Sequence, residues 1–283
     1  MVRTGRKKPL MVRMKLNDRE IEAPRGSSVL RVAQEQGIDI PTLCYHEALG
    51  PYGVCRLCIV EVAGSLPRSL RISCAQQVLE GLVVHTESES VRKNRKLLFE
   101  LLLARSPDSK KLIELAAKHG VTASRFYTGD TDDNCVRCGL CMRVCRDKIG
   151  AYALCFAHRG YNRTITTDFE SLSRYCIGCG SCAQVCPTGA IFMEDKDKER
   201  IIYRKGLVIG RFELEPCQGC GKPYAPRKYL EFVLKSSDQA MELRVLRGFC
   251  PECARRISAE HMAGPPFTDI NRPVSRSTAG HGP

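Results

Sequence analysis

Seventeen of the 283 residues are cysteines, and their spacing restricts the chain more than any other feature. Two runs are near copies. Cys135, Cys138, Cys141 and Cys145 form one; Cys176, Cys179, Cys182 and Cys186, followed by Pro187, form the other. Each reads C-x2-C-x2-C-x3-C, a spacing in which a close triplet can hold three corners of an iron-sulfur cubane. Upstream stand Cys44, Cys55, Cys58 and Cys74; downstream stand two pairs, Cys217/Cys220 and Cys250/Cys253. Only Cys155 is left over. The chain is too long, and its cysteine too dilute, for a small secreted disulfide framework. Clustered thiols in a reducing compartment mean metal, so a cytoplasmic, electron-conducting protein is expected.

The length calls for two or three domains. The formal charge of +13 points at first to nucleic acid. Each four-thiolate centre, however, carries about −2 once its ligands ionise, so four centres remove about eight charges. Aromatic residues make up 6% and tryptophan is absent, which leaves little platform for stacking bases. A basic metal-binding nucleic-acid protein is therefore the weaker alternative. The longest apolar stretch, Leu97 to Ala104, is interrupted by Glu100, so no membrane insertion is expected. Met1 to Lys8 is basic but lacks the apolar core of a signal peptide.

Along the chain, residues 1–10 read as a disordered basic arm. Met11 to Leu16 and Glu20 to Ala23 alternate like strands around an Asn17-Asp18 turn. Ser27 or Ser28 can cap a short helix that Gly37 stops. Further strands are expected at Cys58 to Val62, Ser69 to Ile72 and Leu82 to His85, with a cysteine-bearing loop from Ile40 to Cys58. Thr86-Glu87-Ser88-Glu89 reads as a capping box for a helix that runs to Arg105, ended by Pro107. A second helix, Leu112 to His119, closes at Gly120. The pair should link domains. A β-rich insert (Tyr161 to Phe169) separates the two cysteine runs, and Glu194 to Arg200 reads as a charged linker. From Gly264 on, composition favours disorder.

In the two long runs the fourth cysteine points toward the other cluster. Cys135, Cys138, Cys141 and Cys186 are therefore assigned to one [4Fe–4S] cluster, and Cys176, Cys179, Cys182 and Cys145 to a second. Arg146 stands where a proline follows the other run, which changes a flank and not a ligand. Cys44, Cys55, Cys58 and Cys74, a long gap followed by a close pair and a distant fourth thiol, suit a [2Fe–2S] centre. With Cys44-Tyr45-His46, Gly53 to Val62 and Ser73-Cys74, residues 11–195 resemble the N-terminal part of the complex I large iron-sulfur subunit. They are equally similar to iron-only hydrogenases and to the small diaphorase subunit of NAD-dependent hydrogenases. The resemblance implies a beta-grasp, plant-type ferredoxin domain for the first quartet. It departs at one point: the family commonly carries an H-x3-C-x2-C-x5-C cluster between these centres, whereas 92–134 contains His119 and no cysteine.

The downstream pairs, with 29 residues between Cys220 and Cys250, suit a closed zinc-ribbon-like site of Cys217, Cys220, Cys250 and Cys253. Another iron-sulfur cluster is the alternative there. Cys155, among Ala153, Leu154 and Phe156, reads as a buried free thiol. His46, next to Cys44, either hydrogen-bonds a cluster sulfur or is a solvated loop histidine.

The fold class expected is α+β. It comprises a [2Fe–2S] beta-grasp domain (11–87), a helical linker (88–120), a dicluster ferredoxin-like domain (121–200), a four-cysteine zinc-ribbon-like domain (201–263) and a disordered tail (264–283). No dinucleotide fingerprint, P-loop or nucleophile elbow is found, so no catalytic residue is assigned. One [2Fe–2S], two [4Fe–4S] and one Zn2+ are expected, with FMN and NAD(H) on a partner. The resemblance implies a hetero-oligomeric NAD(H)-linked oxidoreductase, in the first instance a [NiFe] hydrogenase, with or without electron bifurcation. In it the chain would relay electrons between a flavoprotein NADH-dehydrogenase-type subunit and the catalytic subunit. The equivalent subunit of a formate dehydrogenase or a complex I-like enzyme is the alternative.

Overall fold

The computed structural model describes residues 10–64, 69–128, 134–204, 206–236 and 248–262. The basic arm up to residue 9 and the C-terminal tail lie outside the described residues. The chain has mixed helix and sheet content and divides into two compact units, Met1–Phe212 and Glu213–Pro283.

The first unit begins with a hairpin, β1 (Met11–Leu16) and β2 (Arg19–Pro24). Asn17 and Asp18 both take left-handed φ (48° and 67°), the two-residue turn whose twist matches antiparallel strands. Val12, Met14 and Leu16 are buried in alternation, the period-2 pattern of a sheet with one solvent face. Helix α1 (Val29–Glu35) starts where Ser28 Oγ accepts from Arg31 N. Strands β3 (Ile59–Val62), β4 (Ser69–Ile72) and β5 (Leu82–His85) complete a sheet of order β2-β1-β5-β3-β4. Only β1 and β5 run parallel. The buried α1 face, Val29, Leu30, Val32 and Ala33, joins the strands in one apolar cluster.

Helix α2 (Glu89–Arg105) is capped by Ser88, whose Oγ accepts from Val91 N. Thr86 is not the cap: it exchanges hydrogen bonds with Asn17, donating N–H to Oδ1 (2.8 Å) and accepting from Nδ2 (2.7 Å). Helix α3 (Lys110–Lys118) follows, and His119 stacks on Phe99 at 5.2 Å. The two helices do more than link. Phe99, Leu103, Leu112 and Ala116 form one apolar cluster with Leu43, Cys44, Cys55, Leu57, Cys138 and Leu140. Between the cysteine groups, where a further cluster would need ligands, this chain packs Phe99, Leu103 and Leu112.

Beyond lie α4 (Leu140–Arg143), a π-helical turn (Val144–Ile149), the strand pair β6 (Cys155–Ala157) and β7 (Thr164–Thr166), and α5 (Ser181–Gln184). The stretch read as a charged linker is instead the tip of a hairpin, β8 (Ile191–Lys196) with β9 (Glu199–Arg204). Asp197 and Lys198 supply its left-handed turn (φ 50° and 68°). Its charges pair along the ribbon: Arg200 meets both Asp195 oxygens at 2.8 Å, and Tyr203 donates to Glu194.

Strand β10 (Leu207–Pro216) leads out of the first unit. In the second unit its end pairs antiparallel with β11 (Pro223–Pro226), ahead of α6 (Arg227–Ser236) and α7 (Pro251–Met262). The apolar cluster of this unit consists of Cys217, Cys250 and Cys253 with Tyr224 and Phe249 against them. Among the described residues no helix is long and apolar enough to cross a membrane.

Candidate iron-sulfur and metal centres

All seventeen cysteines are free thiols. Cys44, Cys55, Cys58 and Cys74 are buried, and fall into two pairs. A hydrogen bond from the Cys55 thiol brings the Cys44 thiol down to about 6, against burial and with help from the N–H groups of Cys55, Val54 and Gly53. The Cys74 thiol does the same for Cys58, bringing it to about 6, and the fully buried Ser73 hydroxyl adds to it. The two donor thiols, Cys55 and Cys74, are pushed up in return. Two thiol pairs within one buried loop system fit two metal ions, each taking a pair.

The long runs repeat one backbone device. Arg137 and Gly178 take left-handed φ (55° and 75°), as do Gly139 and Gly180 (75° and 74°) at the caps of α4 and α5. Glycine is needed at the second position in both runs. A Cβ at Gly180 would lie 2.5 Å from Met193 Sδ, and one at Gly139 3.0 Å from the Tyr52 ring.

The runs also cross. Cys145 lines one cavity with Cys176, Cys179 and Cys182. Burial raises the Cys182 thiol, and the charges of Cys176, Cys179 and Cys145 raise it further. Burial likewise pushes Cys138 up to about 12, with Cys135, Cys186 and Cys44 adding to it. Cys141, raised first by burial, feels Cys138 and Cys135 of its own run and Cys182 and Cys186 of the other. Thiols stacked so close repel one another as thiolates, which is the electrostatic problem a cationic metal centre resolves. The last cysteine of the first run thus lies with the second run, and the charges of both runs reach Cys141.

In the second unit the sulfurs of Cys217, Cys220, Cys250 and Cys253 all lie within 4.8 Å of one another. The Cys220–Cys250 distance is 3.8 Å, matching the edge of about 3.8 Å that a tetrahedron of 2.3 Å zinc–sulfur bonds requires. Burial raises the Cys217 thiol, but N–H groups of Cys250, Cys220 and Gly219 outweigh it and bring it to about 6. One of these is Cys250 N–H to Cys217 Sγ at 3.1 Å.

One expectation is corrected, and of the two readings of His46 the loop histidine is the one found. Cys155 is exposed, because it lies in a two-stranded sheet with no layer over that side chain. His46 turns its Nδ1 to the Ala48 N–H (3.2 Å), a local loop bond. Sequence reasoning also missed a set of arginines that clamp the cysteine loops by their carbonyls. Arg95 donates to Leu57 and Ile59, Arg143 to Leu49 and Gly50, and Arg200 to Gly178.

A 2Fe-2S iron-sulfur cluster binding domain matches residues 10–89, and a 4Fe-4S dicluster domain matches 175–223. The second span holds the run Cys176–Cys186 and reaches Cys217 and Cys220, leaving out the run Cys135–Cys145. In space, however, Cys145 joins the former run, and Cys217 and Cys220 join Cys250 and Cys253. One subunit of an NADH-quinone oxidoreductase of Rhizobium meliloti is 31% identical over 206 residues, 64% of this chain and 24% of its own length. A subunit of the NADP-reducing hydrogenase of Solidesulfovibrio fructosivorans is 32% identical over 211 residues, 64% of this chain and 36% of its own. The chain thus spans about a quarter to a third of the curated relatives it matches. A chain of the NAD+-reducing [NiFe]-hydrogenase, solved in the H2-reduced state, superposes with a TM-score of 0.55 at 30% identity, over 63% of this chain and 85% of that one. Domains, cysteine geometry and relatives agree: the chain belongs to the family of iron-sulfur electron-transfer subunits in which a 2Fe-2S cluster binding domain precedes a 4Fe-4S dicluster domain.

Proposed function

We propose that the chain relays single electrons between a flavin-bearing NAD(H) subunit and a substrate-site subunit, most specifically in an NAD-linked [NiFe] hydrogenase. When bound, the clusters supply one-electron carriers whose potentials the protein tunes by burial, charge and hydrogen bonds. The ligand sets are Cys44, Cys55, Cys58 and Cys74 for [2Fe–2S], Cys135, Cys138, Cys141 and Cys186 for one [4Fe–4S], and Cys145, Cys176, Cys179 and Cys182 for the other. The observation that supports this reading is that Cys145, the last cysteine of the first run, lines one cavity with Cys176, Cys179 and Cys182 of the second.

What the residues do is hold these sets side by side. Cys44 and Cys55 share an apolar cluster with Cys138, so the beta-grasp domain and the dicluster domain meet at their cysteine loops. Leu43, Leu57 and Leu140 exclude water there. The four-cysteine site of the second unit is read as a closed, structural zinc site, since four thiolates leave no open position.

The hydrogenase assignment is supported by the superposed NAD+-reducing [NiFe]-hydrogenase chain. A complex I-like enzyme is the second reading, supported by the similarity to NADH-quinone oxidoreductase subunits. Anaerobic purification on a tag fused to this chain, with mass spectrometry of what accompanies it, separates the two. A flavoprotein with nickel-iron subunits is expected; quinone-oxidoreductase subunits favour the second reading, and a chain purified alone with its iron contradicts both.

A further inference from the structure

Helix α2 buries a row at i, i+4 spacing: Val91, Arg95, Phe99 and Leu103. Three of the four are apolar, as the inner face of an amphipathic helix should be. The fourth is an arginine with 1% of its surface exposed, in a position where an unpaired charge is costly. Every branch of its guanidinium has a partner. Nε donates to the Leu57 carbonyl (3.3 Å), Nη2 to the carbonyls of Ile59 (3.0 Å) and Thr86 (3.1 Å), and Nη1 to Glu87 Oε1 (2.5 Å). Leu57 and Ile59 flank Cys58, and Leu57 with Arg56 separates it from Cys55. The N–H of Leu57 faces the Cys55 sulfur, while the carbonyl of the same residue faces Arg95.

We propose that Arg95 is a positioning and potential-setting residue for the [2Fe–2S] centre, holding the Cys55–Cys58 loop by its carbonyls and favouring the reduced state by its buried charge. The proposal rests on the reading that Cys44, Cys55, Cys58 and Cys74 carry that centre. Fixing the loop needs only hydrogen bonds. The charge is a separate effect, because a permanent cation in a poorly solvated interior stabilises an added electron nearby. Its field already reaches other groups: His119 is held below its ordinary pKa first by burial and then by Arg95. Glu87, whose side chain is 49% exposed, offsets part of that charge from the solvent side.

The two roles separate by experiment on the full chain with its clusters assembled anaerobically. The [2Fe–2S] midpoint potential is followed by EPR-monitored redox titration and the unfolding temperature in parallel. Arg95→Gln is expected to lower the potential and the unfolding temperature. Arg95→Lys keeps the charge but not the fork, so the potential should stay near that of the parent while the unfolding temperature falls. Glu87→Gln keeps an acceptor for Nη1 on a half-exposed side chain, so it should fold normally and raise the potential. If Arg95→Gln does not fold, Glu87→Gln decides alone. An unchanged potential in Glu87→Gln, with the parent signal intact, overturns the charge role. A parent chain without a [2Fe–2S] signal overturns the ligand reading itself, and the proposal with it.

Discussion

Arg143 donates both Nη atoms to the loop that carries Cys44 and Cys55, one to the carbonyl of Leu49 and the other to that of Gly50 at 3.3 Å. Its guanidinium lies 5.0 Å over the Tyr52 ring and is largely buried. Because Arg143 closes α4, two residues beyond Cys141, this side chain ties the first long run to the [2Fe–2S] loop. Arg143→Ala leaves two carbonyls without their donors, each worth about 1–3 kcal/mol when buried. A loss of about 2–4 kcal/mol in unfolding free energy is expected, measurable by denaturant titration. EPR of the reduced variant should also show weaker magnetic interaction between the [2Fe–2S] signal and the cubane signals.

Cys182→Ser removes a buried thiol that the proposed function gives to the second cubane. The chain should lose about four irons while the [2Fe–2S] signal persists. In the assembled complex, NADH-driven dye reduction at the flavin should survive and electron flow to the far site should fall. Equal loss of both activities would show that the residue matters for assembly instead.

Among its described residues the second unit has little core apart from its cysteines, so metal binding and folding there should be one event. Metal analysis of the purified chain is expected to give one zinc per chain. Cys253→Ser should lose that zinc, leave iron content unchanged, and expose the segment from Glu213 to Met262 to limited proteolysis.

His119 is held below its ordinary value of 6.5, by burial and then by the Arg95 charge. The unfolded chain therefore binds a proton here more readily than the folded one. Stability from this site is complete above pH 6.5 and is lost as pH falls from there toward the lowered folded value. His119→Phe keeps a ring against Phe99 and cannot titrate. Its unfolding temperature should fall less than that of the parent between pH 7 and pH 5.

Much of this was legible because cysteine spacing is a local code: ligands two or three residues apart must share a turn, whatever the rest of the chain does. The strands of the first sheet were legible for a similar reason, since Val12, Met14 and Leu16 alternate against a single core. The hairpin at Asp197-Lys198 was not. Its charges pair across two strands, and read along one strand they look like a solvated linker. Thr86 looked like a helix cap because nothing in sequence reveals Asn17, 69 residues earlier, as its partner. Arg95 left a faint signal, a cation on the apolar row Val91–Phe99–Leu103, but arginines on helices are so often solvated that its burial emerges only with the cysteine loop packed over it. Cys155 was misjudged because apolar neighbours in sequence say nothing about which face of a short strand is covered.

The most direct test of the central claim is cluster content. Iron and sulfide analysis with EPR of the anaerobically purified, dithionite-reduced chain should give about ten irons, one [2Fe–2S] signal and two interacting [4Fe–4S] signals. A chain that binds zinc at Cys135–Cys145 and Cys176–Cys186, or shows a single cubane, would contradict it.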